Sequence, residues 1–198
     1  MVIELFGGVG SGKSLVLREL KENWNAAVIG MDETAHSLYE KGRAGNDAAV
    51  RILGPTVRKP DGSLDRAAMA DILYRDPERM HQLELVIHPL VYDEVARLVS
   101  EYRKTNGLVV VETALPKKEQ SDIFDELWYV FTPEDIRETR LMRDRGYSKE
   151  RVREIMAKQL SDSAFREMAD FVLVNDGTEE ELKEKIRKRL GGSVPGLA

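Results

Sequence analysis

Eight residues near the N-terminus, Gly7-Gly8-Val9-Gly10-Ser11-Gly12-Lys13-Ser14, constrain this chain more than any other stretch. They fit the phosphate-loop pattern of a glycine, four free positions, then Gly-Lys-Ser. Glycine lets the backbone take angles that a Cβ forbids, so that successive N–H groups can converge on an anion. Lys13 adds a point charge, and the Ser14 hydroxyl is of the kind that holds magnesium beside bound phosphates. The flanks suit the motif. Val2-Ile3-Glu4-Leu5-Phe6 reads as a short strand entering the loop, and a helix follows from Leu15 with apolar residues at Val16, Leu17, Leu20 and Trp24. Strand, loop and helix N-terminus in that order aim the positive end of the helix dipole at the same point.

Further apolar runs supply the other strands. Ala26-Ala27-Val28-Ile29 suits a buried second strand and leads into Gly30-Met31-Asp32. Ligands of an open parallel sheet bind at the carboxyl ends of its strands, which would bring Asp32 beside the loop. Asp32 equally suits the N-cap of a helix starting near Glu33. Leu108-Val109-Val110-Val111 is a continuous β-branched run, and the Glu112 that ends it resembles the magnesium-holding acid of a Walker B strand. The plainer reading of Glu112 is a solvated strand end. Leu127 to Phe131 and Phe171 to Val174 complete five strands with helices between, which predicts the α/β class and a doubly wound parallel sheet.

Composition narrows the rest. At 198 residues, 42% hydrophobic and 33% charged, the chain is an ordinary globular one with room for a core and an inserted piece. No apolar run approaches the roughly 18 residues of a membrane helix. There is no cysteine, so disulfides and thiol chemistry are excluded. A cytoplasmic location is expected, since the first strand begins at once and leaves no room for a leader. The net charge of −5 argues against a nucleic-acid partner.

From His36 to about Arg103 the pattern turns to helix after helix, with a polar turn at Lys59-Pro60-Asp61-Gly62-Ser63. Asp76-Pro77 predicts an N-cap and a first-turn proline for a helix bearing Met80, Leu83, Val86 and Ile87 on one face. His88-Pro89 is expected to break it, and Leu90, Val91, Val95, Leu98 and Val99 to continue the stripe in a second helix packed as an angled hairpin. After the fourth strand, Thr132-Pro133-Glu134-Asp135 predicts a capped helix carrying Arg137, Arg140 and Arg143 along one side. Asp144-Arg145-Gly146-Tyr147 ends that helix and Ser148 caps another, with Arg151 and Arg153. Arginines on such a hairpin over a phosphate loop would act as a lid that neutralises phosphoryl charge, while an exposed, salt-bridged helix is the plainer alternative. Asn175-Asp176-Gly177 reads as a turn, Thr178 to Glu181 as a capping box, and Gly191-Gly192 as the end of the last helix.

Beyond the loop, the chain resembles the dephospho-CoA kinases along nearly its whole length. The resemblance is carried by Gly7 to Ser14, Asp32 with Ala35-His36, Asp61-Gly62-Ser63-Leu64-Asp65-Arg66, His88-Pro89, Arg140-Leu141-Met142, Gln159, and Ala169-Asp170 followed by Asn175 and Gly177. It implies a P-loop kinase with a helical coenzyme-binding insert and a lid, transferring a phosphoryl group from ATP with Mg²⁺ to the ribose 3′-hydroxyl of dephospho-CoA. On that resemblance the core is 1–35 with 106–190, the lid 136–165, the insert 36–105 and the flexible tail 191–198. Lys13, Asp32 and Arg140 are the expected catalytic residues. Gly8, Val9, Gly10, Ser11, Gly12, Lys13, Ser14, Leu15, Arg143, Arg145 and Asn175 would hold the nucleotide, and Ser14 and Glu112 the metal. His36, Arg66 and His88 would contact the small-molecule substrate, with the chain a monomer or weak homo-oligomer that binds neither nucleic acid nor membrane.

Departures from the family pattern admit two rivals, a kinase for another small nucleotide or metabolite and a nucleotide-binding regulator with weak transfer. Gly30 stands where the family usually has an acid, Ala114 to Lys118 differs after Glu112, and Asp144 occupies the usual place of a lid arginine.

Overall fold

The computed structural model describes residues 1–114, 116 and 122–191. Strands β1 (Val2–Phe6), β2 (Ala27–Gly30), β3 (Val109–Glu112), β4 (Glu126–Phe131) and β5 (Phe171–Val174) form a sheet in the order β2-β3-β1-β4-β5. They are joined by helices α1 (Lys13–Asn23), α2 (Met31–Leu38), α3 (Ala44–Leu53), α4 (Arg66–Arg75), α5 (Pro77–Tyr102), α6 (Glu134–Arg145), α7 (Lys149–Ala157), α8 (Asp162–Met168) and α9 (Glu179–Leu190). β1 pairs in parallel with β3 and β4, and β4 with β5, so the strand feeding the phosphate loop lies in the middle.

Every residue of β1 is buried, as befits a parallel strand covered on both faces. Ile3 and Leu5 join Val110, Trp128 and Val130 in a cluster with Leu20 of α1 and Ile186 of α9. Phe6 belongs to the opposite face, where its ring lies 5.9 Å from Tyr129, which in turn stacks 5.1 Å from Phe165 of α8. Strand alternation puts Glu4 on this second face. It is 0% exposed, and neither carboxylate oxygen has a hydrogen-bond partner among the described residues. Burial pushes its pKa up from 4.5 to about 7.

The chain divides into two compact units, Met1–Val28 with Glu101–Ala198, and Ile29–Ser100. The sequence placed the division at 36 and 105. Within the second unit, Asp65 caps α4 by accepting from the Ala67 and Ala68 amides, and an isolated bridge between Arg58 and Leu64 closes the turn around Asp61. Asn46, 1% exposed, ties that turn to α2's end: its Nδ2 donates to Tyr39 O and Gly62 O, and its Oδ1 accepts from Arg58.

Two expectations for this unit are corrected. The break at His88-Pro89 does not occur, because α5 runs unbroken for 26 residues. Its buried stripe of Leu83, Ile87, Val91, Val95 and Val99 recurs every four residues straight through the proline. Pro89 removes one helical donor, that for the Leu85 carbonyl, and does so where Leu85 is 62% exposed, so packing outweighs the missing bond. Likewise Asp32 is not an N-cap. Helix α2 starts at Met31, with extended Gly30 as its cap and no side-chain cap bond, which leaves Asp32 exposed in the first turn.

In the first unit the Thr178–Glu181 capping box forms as expected, and Gly191 ends α9 in the left-handed region. The stretch from Leu115 to Lys118 lies outside the described residues apart from Pro116, as does the tail from 192 onwards.

Candidate active site

The loop between β1 and α1 is built around glycines. Gly12 holds the cap position of α1 at φ 91, and a Cβ there would overlap the side-chain amide of Asn175. Gly10, at φ 77, would press a Cβ to 3.1 Å from Leu141 of α6. These angles and this crowding exclude a side chain at either position.

The loop is held from outside by residues distant in sequence. Asn175, 2% exposed, donates from Nδ2 to Ser11 O at 2.8 Å, and the buried Thr132 hydroxyl reaches the same oxygen at 2.9 Å. Thr132 therefore is not the cap of α6. That place is taken by Pro133 without a side-chain bond. The side-chain amide of Asn175, expected at the nucleotide, is buried against the loop, which it buttresses. The main-chain carbonyl of Asn175 accepts from Arg140 Nη2 at 3.3 Å.

A cavity of about 470 Å³ opens over the loop. Gly8, Val9, Gly10, Gly12, Lys13 and Ser14 line it, as do Glu112 from the end of β3 and Arg140 and Arg145 from α6. Asp144 and Gln159 complete its rim. Lys13 Nζ lies 2.8 Å from Gly7 O, folded over the start of the loop. Ser14 brings a hydroxyl and Glu112 a carboxylate to this cavity, a donor pair of the kind that suits magnesium when phosphates and water supply its other oxygens.

Several expected contacts are placed differently. The amides of Val9, Ser11 and Leu15 do not point into the cavity as free donors: they bond Gln159 Oε1, Gly8 O and Gly12 O at 3.1, 3.1 and 3.0 Å. The Leu15 side chain packs on the core, and Ser11, 1% exposed, is buried rather than facing a ligand. Arg143 is turned to Asp144 at 2.6 Å, which raises its own pKa and lowers that of Asp144. It is Arg145, not Arg143, that lines the cavity with Arg140.

The unit Ile29–Ser100 has its own cavity, about 480 Å³, lined by His36, Lys41 and Arg66 together with Leu64, Met69 and Leu73. His88 is exposed on α5 and is not among its walls. Asp32 belongs to this unit.

A family model of dephospho-CoA kinase matches residues 1–181. The chain belongs to the dephospho-CoA kinase family. It is 35% identical over 187 residues to the dephospho-CoA kinase of Symbiobacterium thermophilum, covering 93% of this chain and 78% of that one. The dephospho-CoA kinase of Staphylococcus aureus is 32% identical over 190 residues, with 96% and 91% covered. Among solved structures, TT1252 from Thermus thermophilus matches with a TM-score of 0.75 at 30% identity over 96% of each chain. A dephospho-CoA kinase from Campylobacter jejuni, at 17% identity, shares the fold with a TM-score of 0.70, covering 100% of this chain and 98% of that one. Among dephospho-CoA kinases, then, this chain's motif residues from Gly7 to Ser14 line or build the loop cavity, and those from Asp61 to Arg66 form the turn and cap beside the second cavity.

Sequence reasoning passed over Arg137, Thr132 and Glu4. Arg137 was legible only as one of three evenly spaced arginines, and Thr132 only as a helix cap. Glu4 did carry a signal, an acid inside an otherwise apolar strand buried on both faces.

Proposed function

We propose that this protein uses ATP to phosphorylate the ribose 3′-hydroxyl of dephospho-CoA, giving coenzyme A and ADP. The observation that carries the reading is the cavity in which the glycine loop meets an ammonium, a hydroxyl, a carboxylate and two guanidinium groups, within a chain that the family model matches over residues 1–181. Lys13 and the cavity-facing amides would take the β and γ phosphates. Ser14 and Glu112 would hold magnesium, which would neutralise phosphate charge during transfer.

In the transfer, the acceptor oxygen forms a bond to the γ phosphorus as the bond to the ADP oxygen breaks, and the hydroxyl proton passes to Asp32. Arg140 and Arg145 stabilise the charge spread over the equatorial oxygens. The second cavity supports the coenzyme reading. Lys41 and Arg66 offer cations for phosphates, His36 an imidazole for hydrogen bonding, and Leu64, Met69 and Leu73 an apolar wall for the pantetheine arm. We place the reaction in the cytoplasm with a small-molecule substrate, a monomer or weak homo-oligomer, and no nucleic-acid or membrane partner.

The test is incubation of the purified protein with ATP, magnesium and either dephospho-CoA or a panel of nucleosides and small metabolites, with products read by mass. Phosphorylated dephospho-CoA as the main product is expected. Transfer to another acceptor alone, or to none, would overturn the proposal.

A further inference from the structure

The α6–α7 hairpin is fastened to the phosphate loop at one residue, Val9. Arg137, in the first turn of α6, donates from Nε to Val9 O at 2.8 Å and from Nη2 to Gln159 Oε1 at 2.8 Å. Gln159, which follows α7, accepts with that same oxygen from the Val9 amide at 3.1 Å. Both polar groups of Val9 are thus taken by the two roots of the hairpin. The seat is close: a Cβ on Gly8 would overlap the Arg137 guanidinium, and a Cβ on Gly10 would come 3.3 Å from the Arg137 carbonyl. Burial pulls the guanidinium's pKa down, while Tyr129, Glu134 and Asp162 act the other way, so it remains a cation held in a partly buried place.

We propose that Arg137 and Gln159 are positioning residues that set where the α6 arginines stand over the phosphate loop. Arg140 is one turn beyond Arg137, and Arg145 ends the same helix, so the register of both against the loop is fixed by the joint at Val9. Groups that stabilise transferring charge must be placed to within a fraction of an ångström, because a shift of about 1 Å can cost ~10²-fold in rate. Arg137 and Gln159 touch neither reacting atom. They act through Arg140 and Arg145, and the inference rests on the phosphoryl-transfer reading above.

Arg137→Ala and Gln159→Ala should each lower kcat about tenfold while leaving KM for ATP within about twofold, and the double variant should be no worse than the poorer single, as for two parts of one joint. Gln159→Glu keeps the shared acceptor oxygen and should retain kcat within about threefold. Melting temperature is followed in parallel, and Gln159→Glu against Gln159→Ala carries the test should Arg137→Ala not fold. Hydrogen exchange at the Val9 amide supplies a readout that needs no acceptor: it should quicken in Gln159→Ala and not in Gln159→Glu. Unchanged kcat in both alanine variants, losses that multiply in the double, a rise in KM alone, or a Val9 amide indifferent to Gln159 would each overturn the proposal. Failure of the substrate reading shows separately, as absence of phosphorylated dephospho-CoA from the unmutated protein.

Discussion

Glu4 places a buried carboxylate in the core with no hydrogen-bond partner among the described residues. Glu4 holds its proton in the folded protein up to about pH 7, whereas the unfolded chain releases it near 4.5. Its contribution to stability is therefore complete below about pH 4.5, declines as pH rises from there to about 7, and is level above. At ~1.4 kcal/mol per pH unit the loss comes to ~3 kcal/mol. Glu4→Gln, which cannot ionise, should melt close to wild type at pH 4.5 and distinctly higher at pH 8. An equal gap at both values would show that Glu4 is not protonated in the fold. At the cavity, Arg143 is committed to Asp144 while Arg145 lines the wall. Arg145→Ala should then reduce turnover roughly tenfold or more, and Arg143→Ala no more than about threefold, in steady-state assays. The reverse order would mean that the pair at Asp144 opens during the reaction.

Elements here follow their apolar periodicity more faithfully than their punctuation. Pro89 carries the mark of a helix break, yet the four-residue stripe of α5 passes through it, because the lost bond lies on an exposed side and the buried side is continuous. Replacing Pro89 with Ala restores the donor but frees the unfolded chain. The net gain should be about 1–2 kcal/mol, read as a higher denaturant midpoint at unchanged slope. A lower midpoint would show that the proline ring itself packs. Thr132-Pro133 misleads in the opposite way: it has the composition of a helix start, but the threonine hydroxyl is drawn to Ser11 O and Asn175 O, two acceptors from chain segments far away. Local propensity names a competent partner, and the fold offers a better one.

Over the whole molecule, the phosphate loop and Asp32 belong to different compact units, so the role of Asp32 is a matter for kinetics. Because it is exposed and makes no cap bond, Asp32→Asn should cost less than ~1 kcal/mol, the small term of an acid in a first helical turn. As the acid that takes the acceptor's proton, its loss should lower transfer to dephospho-CoA by roughly 10² to 10⁴ with ATP binding little altered. Turnover near wild type would remove it from the chemistry. The same comparison made with His36→Ala and Arg66→Ala asks whether the cavity of the second unit holds the acceptor.

Much of this was determined by the amino-acid sequence alone. The phosphate loop, the five strands, the capping box of α9, the cap of α4 and the helical character of 36–103 are each set by neighbours within a few residues, where glycine angles, cap side chains and apolar period act directly. Only the tertiary structure decided which arginine lines the cavity, why Asn175 is buried, and how Arg137 and Gln159 meet at Val9. The contacts of Asn175, Arg137 and Gln159 with the loop join residues more than a hundred positions apart, and each guanidinium or amide had several chemically adequate partners along the chain. Spacing along a helix says that Arg137, Arg140 and Arg143 share a side. The approach of other segments gives Arg137 the loop carbonyl and Arg140 the buttress beside the cavity, while Arg143 turns to Asp144, its neighbour along the same helix.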